Sequence, residues 1–142
     1  MEDANPSILE ENKKIVMKVA TAGWKPEIVS EYCSEDYLIH FGTSDLDRDQ
    51  LMEFMGSIHY ALPDLRYEVK DIIAEGDKVV TRWLAVGTHR RAFQGVMPSQ
   101  QPVRFSGITI SRIKDGKIVE DWEEVDQLNF SQQFGAFPQE SM

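Results

Sequence analysis

Apolar residues in the first part of the chain recur every three to four positions, the spacing of one helix face. Ser7 and Glu10 fit a capping box after Pro6, which predicts a helix that begins there and continues to Gly23. The inward stripe of this helix consists of Ile8, Ile15, Val16 and Val19. Cap and stripe together predict an amphipathic first helix.

Two more helices and a short strand are predicted before the middle of the chain. Pro26 suits the first turn of a short second helix. Residues 36–42, DYLIHFG, predict an aromatic strand or extended segment. A third helix is predicted after Asp47, because Gln50 completes a second capping box, and Pro63 ends this helix.

From Leu65 onward the apolar period changes to two, which is typical of strands. The predicted strands are residues 65–74, 79–88, 103–113 and 117–126, and residues 127–137 predict a short closing turn or helix. Helices followed by an antiparallel meander predict an α+β protein whose N-terminal helices cover one face of the sheet. A long twisted sheet curls around such helices and leaves a concave mouth. One domain that spans residues 1–142 is expected.

Charge and composition narrow the classes of function. The formal net charge of −9 argues against nucleic acid and anionic membranes as partners, since both need clustered basic residues. No apolar run approaches the length needed to cross a bilayer. The acidic N-terminal stretch does not resemble a secretory signal, so a cytoplasmic protein is expected. Cys33 is the only cysteine, and a small buried apolar role is expected for it.

The three histidines lack the close spacing of a metal site, so no metal is predicted. His40, between Tyr37 and Phe41, suits either a ligand carbonyl or a satisfied half-buried position. His89 precedes two arginines and either contacts backbone in a loop or lines the mouth of a pocket. His59 is expected to be an exposed or partly covered helix residue.

Two arginines lie in the middle of predicted strands. Arg82 and Arg112 both have branched apolar neighbours, where an arginine usually pairs with a carboxylate or extends to the edge of the sheet. Pairing with an acid of the last strand is the favoured interpretation, and contact with a ligand remains the alternative.

The last predicted strand carries five acids around one tryptophan. Alternation places Val119, Asp121, Glu123 and Val125 on one face, and Ile118, Glu120, Trp122, Glu124 and Asp126 on the other. A solvated face explains Glu120 and Glu124, whereas Asp121 and Glu123 share a half-buried face on which unpaired carboxylates are costly. A carboxyl at the wall of an apolar pocket has a raised pKa and becomes a proton carrier near neutral pH. Periodicity alone leaves open which face points inward.

Much of the second half resembles a known family. The segments PDLRYEVKDIIAEGDKVVTRWLAVGTH, FQGVMP, FSGITISRIKDGKIVEDWEEVD and QQFG, within residues 62–135, are similar to SnoaL-like polyketide cyclases. These are small proteins of the nuclear-transport-factor-two-like cone fold. The resemblance implies an α+β barrel in which helices pack into a strongly curved, mainly antiparallel sheet.

The same resemblance implies a chemistry and a site. Family cyclases close a ring by intramolecular aldol chemistry without metal or organic cofactor, using one acid on the last strand as general acid and base. Alignment through RIKDGKI places that acid at Glu123. Glu123 and Asp121 are then expected to face the interior of the cone as catalytic residues, while Trp122 and Glu124 face away.

Three positions depart from the family pattern. A histidine and a glutamine on the preceding strand correspond here to Thr109 and Gly107, and an asparagine near the end of the first strand corresponds to Ile39. The hydrogen-bonding partners of the acid therefore differ, which implies a different substrate. The candidate donors to a substrate are His40, Tyr37 and Thr109.

The favoured hypothesis is a cofactor-free acid–base enzyme that acts on a small hydrophobic carbonyl compound as a cyclase or isomerase. One alternative is a non-catalytic ligand-binding protein, which a cone filled by Phe105, Trp83 and Met97 would favour. Another is an epoxide hydrolase, which needs an Asp–Arg–Asp set such as Asp121 with Arg82 or Arg112. No nucleic acid or membrane partner is expected.

Association with a second copy is also expected. Cone folds of this kind dimerise through the convex face of the sheet, and a buried Trp83 or Trp122 on that face would suit an interface. The sequence therefore predicts a homodimer.

Overall fold

The computed structural model describes residues 5–126 and residue 133. Within them the chain forms three helices and six strands. These are α1 (Pro6–Thr21), α2 (Pro26–Tyr32), β1 (Cys33–Phe41), β2 (Ser44–Asp47), α3 (Arg48–Ala61), β3 (Arg66–Glu75), β4 (Lys78–Thr88), β5 (Pro102–Lys114) and β6 (Lys117–Val125). The three predicted helices and the four predicted late strands are confirmed, with ends shifted by a few residues.

The two predicted capping boxes have different outcomes. The capping box of Asp47 with Gln50 is confirmed at the start of α3. In α1 the N-cap is Asn5, whose side chain accepts a hydrogen bond from the backbone N–H of Ile8 at 2.9 Å. The prediction that Ser7 caps this helix is wrong, because Ser7 already lies inside the first turn that begins at Pro6.

One strand was not predicted from the sequence. Strand β2 pairs antiparallel with the end of β1 after a turn at Gly42, where φ is +61°. Because Leu46 is the only apolar residue of β2, the segment shows no alternation that could identify it.

The six strands form one sheet in the order β2-β1-β6-β5-β4-β3. All neighbours are antiparallel except β1 and β6, which run parallel. This parallel pair places Ile39 beside Asp121 and Phe41 beside Glu123. The last strand therefore lies in the middle of the sheet, flanked by β1 and β5, where its side chains meet both neighbours.

Helices cover the inner face of the curved sheet. Helix α1 packs against β3 and β4, and α3 packs against β1 and β2. Alternation along β4 buries Val79, Trp83 and Ala85 on the inner face, while Arg82 points outward and is exposed. The predicted α+β architecture, with helices packed on one face of a mainly antiparallel sheet, is confirmed.

The described residues contain no helix long and apolar enough to cross a membrane. The predicted closing turn or helix, residues 127–137, lies outside the described part of the chain except for Gln133. The side chain of Gln133 bonds to the backbone of β5: its Oε1 accepts from the N–H of Arg104 at 2.6 Å, and its Nε2 donates to the carbonyl of Arg104.

Candidate active site

Strand β6 places two carboxyl groups side by side on the inner face of the sheet. Asp121 lies opposite Ser111, and Glu123 lies opposite Thr109, both on β5. Asp121 is fully buried, while Glu124 on the other face is exposed. The face on which Asp121 and Glu123 point is therefore the inner one.

Glu123 combines partial exposure with strong desolvation. The hydroxyl of Thr109 donates to Oε1 of Glu123 at 3.0 Å. Burial raises the pKa of Glu123 to about 8; the Thr109 hydrogen bond opposes this rise, and the negative charge of Asp121 adds to it. The residue is still partly exposed, so the inner face beside Glu123, called the recess below, is not completely closed off from solvent.

Asp121 is a buried carboxyl surrounded by donors. The hydroxyl of Tyr37 donates to its Oδ2 at 2.5 Å. Burial raises the pKa of Asp121 to about 6, and the neighbouring Ser111, Tyr37 and Trp24 oppose the rise. Ser111 and Trp24 lie near the carboxyl without a hydrogen bond to Oδ1 within the described residues. With no exposed surface, Asp121 is placed to act on Glu123 through its charge, and it does not contact a substrate in this conformation.

His40 lies on the outer face of the sheet. Its Nε2 is 2.7 Å from Oε2 of Glu120, its Nδ1 is 2.9 Å from Oδ1 of Asp45, and its ring stacks on Trp122 at 5.5 Å. The hydrogen bonds to Glu120 and then to Asp45 raise the pKa of His40. The expectation that His40 contacts a ligand beside Glu123 is corrected, because strand alternation directs its ring to the opposite side.

The arginines also lie on the outer face. Nε of Arg82 bonds Oδ2 of Asp71 at 2.6 Å, and Nη2 of Arg112 bonds Oε1 of Glu120 at 3.1 Å. The predicted pairing with an acid of the last strand is thus found for Arg112 and is wrong for Arg82, which pairs with β3. Neither arginine reaches Asp121, so the Asp–Arg–Asp set of an epoxide hydrolase is not formed with them, and Arg82 does not line the inner recess.

His89 and His59 are built into the packing. His89 is fully buried, and its backbone N–H donates to the carbonyl of Gln101 at 3.1 Å. The prediction that His89 lines the mouth of a pocket is therefore corrected, because its ring has no exposed surface. Nε2 of His59 bonds the carbonyl of Gly23 at 2.7 Å, and burial lowers its pKa.

An aromatic wall that sequence reasoning missed stands beside Glu123. The ring of Tyr67 lies 5.0 Å from that of Trp83 and 5.6 Å from that of Trp24, and Phe105 packs at 6.1 Å from Trp83. Burial, and then the charge of Glu123, raises the pKa of Tyr67, so this hydroxyl keeps its proton. The sequence signal for this wall was the alternation along β4, which directs Trp83 to the same face as the buried Val79.

This wall bears on the ligand-binding alternative. Trp83 and Phe105 are buried and fill part of the interior, whereas Met97 is 76% exposed and fills none of it. Both rings take up space in the interior, while Glu123 keeps part of its surface exposed. Trp83 is also excluded from the convex face, where it was expected as an interface residue.

The described residues offer neither a metal-binding group nor an activated thiol. Across residues 5–126 and 133, histidine, cysteine and acidic side chains form no group of three or more that could hold a metal ion. Burial raises the pKa of the Cys33 thiol, which is fully buried, so a reactive thiolate is not favoured there.

A curved sheet closed over helices, with acids on the inner face of its last strand, defines a small α+β cone protein with an interior carboxyl site. The chain belongs to the SnoaL-like polyketide cyclase family, whose profile matches residues 13–134. The resemblance found in the sequence is thereby confirmed. No curated protein is significantly similar to the chain in sequence.

Solved structures share the fold over most of the chain. AclR from Streptomyces galilaeus, provisionally assigned as a hydroxylase, is 28% identical with a TM-score of 0.82, covering 92% of this chain and 89% of AclR. IdmH from Streptomyces antibioticus, provisionally assigned as a polyketide cyclase, is 29% identical with a TM-score of 0.71, covering 93% and 99%. A provisionally assigned SnoaL-like polyketide cyclase from Jannaschia sp. CCS1 is 23% identical, with a TM-score of 0.80 and coverage of 97% and 99%, and shows the fold alone.

Proposed function

We propose that this protein is a cofactor-free acid–base enzyme that acts on a small hydrophobic carbonyl compound, as a polyketide-cyclase-like aldol cyclase or as an isomerase. The observation that carries the proposal is the setting of Glu123. Glu123 lies on the inner face of the sheet and is partly exposed as a residue, and burial raises its pKa to about 8. A general acid or base is most effective when its pKa lies near the working pH.

The proposed step is the transfer of a proton between carbon and Glu123. The carboxylate takes a proton from the carbon next to the substrate carbonyl, and the electron pair of the broken C–H bond moves into an enolate. In a cyclase the enolate carbon attacks a second carbonyl of the same molecule, and the protonated Glu123 returns its proton to the new alkoxide. In an isomerase the proton returns to a different carbon.

Stabilising the enolate needs a donor, and two of the predicted donors are already engaged. Tyr37 donates to Asp121, and Thr109 donates to Glu123 itself. Tyr67 replaces them in the proposal, because its ring lies 5.0 Å from that of Trp83, whose indole bonds the Thr109 hydroxyl next to Glu123, and its raised pKa keeps its own hydroxyl protonated. A neutral phenol can donate to an enolate oxygen without bringing a charge into the apolar recess.

The chemistry of the wall limits the substrate. Aromatic rings of Trp24, Tyr67, Trp83 and Phe105 pack together in the interior, and an anionic group beside them would lose hydration and face the carboxyls of Asp121 and Glu123. We therefore propose an uncharged, largely apolar carbonyl compound. The provisional assignments of AclR and IdmH, a hydroxylase and a cyclase, support the view that one cone scaffold carries several reactions.

Hydrogen exchange at carbon tests the proposal without the natural substrate. We expect the protein to accelerate deuterium incorporation next to the carbonyl of a hydrophobic ketone such as α-tetralone in D₂O, measured as loss of the α-proton NMR signal. The same ketone with buffer alone gives the background rate. Saturable binding of the ketone with exchange at the background rate would favour the non-catalytic ligand-binding alternative.

We also propose that two copies associate through the outer face of the sheet. Ile108 is 47% exposed there, and with Leu84 it lines an outer groove of about 480 Å³. The same groove is rimmed by the charged residues Lys70, Arg82, Glu124 and Asp126, and apolar surface with a polar rim is typical of an interface. The partly buried Trp122 lies on this outer face and can contribute, whereas Trp83 cannot.

Sedimentation equilibrium at micromolar concentration is expected to give twice the mass of one chain. Ile108→Glu should lower the mass toward one chain, because it places a charge in the apolar contact. A wild-type protein that sediments as a single chain at that concentration would exclude the homodimer.

A further inference from the structure

Two departures from the family pattern, Gly107 and Thr109, lie next to each other in space and share one neighbour. The indole Nε1 of Trp83 lies 3.0 Å from Oγ1 of Thr109, and the same Oγ1 lies 3.0 Å from Oε1 of Glu123. Trp83 pairs directly across the strands with Gly107. Of the three residues, Thr109 contacts the carboxyl oxygen, Trp83 contacts Thr109, and Gly107 lies across from Trp83.

The chemistry of the indole fixes the direction of the first of these hydrogen bonds. An indole N–H can only donate, so Oγ1 of Thr109 must accept from Trp83. The hydroxyl hydrogen of Thr109 stays available, and in this geometry Oε1 of Glu123 accepts it. When Glu123 is protonated, its own proton therefore resides on Oε2.

Gly107 explains how the indole can lie there. A Cβ atom at this position would be 2.5 Å from Cζ2 of Trp83 and 2.8 Å from the backbone carbonyl oxygen of Glu124. Neither obstacle is the end of a flexible side chain, because one is a rigid ring and the other is backbone. Any larger residue at position 107 would displace the indole from Thr109.

We propose that Trp83, Thr109 and Gly107 form a positioning unit that holds Oε1 of Glu123 as a hydrogen-bond acceptor and reserves Oε2 for proton transfer. The inference deepens the proposed function and rests on it for its catalytic meaning. None of the three residues touches the reacting atoms, and each acts through Glu123. The unit accounts for both departures on the preceding strand as one adaptation around a tryptophan.

Other titratable groups lie around Glu123, and a test must distinguish their effects on its titration from the effect of the positioning unit. Asp121 lies on the same strand, and its charge contributes to the raised pKa of Glu123. Tyr37 on β1 and Tyr67 on β3 feel the charge of Glu123 in turn. Within the described part of the chain, only Thr109 and Trp83 connect to Glu123 through a continuous line of hydrogen bonds.

Nuclear magnetic resonance of the indole groups tests the unit without an activity assay. We expect the Nε1–H resonance of Trp83 to shift with pH at the same midpoint as the side-chain ¹³C resonance of Glu123. Thr109→Val removes the hydroxyl with little change in volume, so the Trp83 shift at that midpoint should be lost and the pKa of Glu123 should rise. Thr109→Ser keeps the hydroxyl and should restore both signals.

Trp122 provides the internal control, because it stacks on His40 at the outer face and should follow the titration of His40. Gly107→Ala is expected to uncouple Trp83 from Glu123, as Thr109→Val does. A Trp83 resonance that ignores the Glu123 midpoint, or that follows it unchanged in Thr109→Val, would overturn the proposal. Coupled titration in a protein whose turnover survives Glu123→Gln would refute the proposed function and leave the hydrogen-bonded unit intact.

Discussion

Glu123→Gln lowers turnover by roughly 100-fold or more, since general acid–base transfer contributes about 10²–10⁴-fold. Glutamine keeps the size of the side chain, and its carbonyl oxygen can still accept from Thr109. What it loses is the ability to take and return a proton. The measurement is the deuterium exchange rate of α-tetralone, or product formation once a substrate is known.

The matched control for this change is Glu124→Gln. Glu124 is the next residue of the same strand, points to the outer face and is exposed, so its replacement should leave the exchange rate near that of the wild type. Glu123→Asp should retain part of the activity, because the carboxyl is kept but withdrawn by one methylene. Equal rates for wild type and Glu123→Gln would remove Glu123 from the mechanism.

The sequence predicts more of the architecture than of the site. Helical spacing, a capping box at Asp47 and the change to a period of two from Leu65 were sufficient to predict the α+β order. The pairing of β1 with β6 was beyond periodicity, since parallel pairing joins residues about eighty positions apart. That pairing is what sets Tyr37 beside Asp121, so their contact could not be derived from the pattern.

The errors at the site have particular causes. Tyr37 and His40 differ in parity along β1, and only one of them can face the interior, so alternation itself argued against grouping them. Alternation within one strand does not show that the indole of Trp83 bonds to Thr109, because the two residues lie on neighbouring strands. Arg82 pairs with Asp71 across the hairpin of β3 and β4, so its acidic partner is nearer in sequence than the acids of the last strand.

The inner face holds two acids with unequal surroundings, which gives them different tasks. Asp121 has a hydrogen bond from Tyr37 and two further donors nearby, and its pKa is raised only to about 6. Glu123 has one donor among the described residues, Thr109, and its pKa is raised to about 8. Near neutral pH the first group is therefore mostly ionised and the second mostly protonated, so the charge of Asp121 helps Glu123 retain its proton.

Stability is expected to fall as the pH rises, and Glu123 is expected to account for much of the fall. Its pKa is about 8 in the folded chain and 4.5 as the reference value for an unfolded one. Between these values the folded state binds the proton and the unfolded state does not. The stabilisation is therefore complete below pH 4.5, is lost progressively up to pH 8, and changes no further above it.

Glu123→Gln should therefore raise the free energy of unfolding most at high pH, by a few kcal/mol, since a pKa difference of one corresponds to about 1.4 kcal/mol. Urea unfolding followed by tryptophan fluorescence measures this from pH 5 to pH 9. Asp121 also lowers the free energy of unfolding as the pH rises, but only up to about pH 6. His40, with its raised pKa, titrates in both proteins, so its contribution cancels in the difference between their free energies of unfolding. Glu124→Gln should keep the wild-type slope. Parallel curves for wild type and Glu123→Gln between pH 6 and 8 would show that Glu123 titrates as an ordinary solvated carboxyl, and the candidate site would lose its proton carrier.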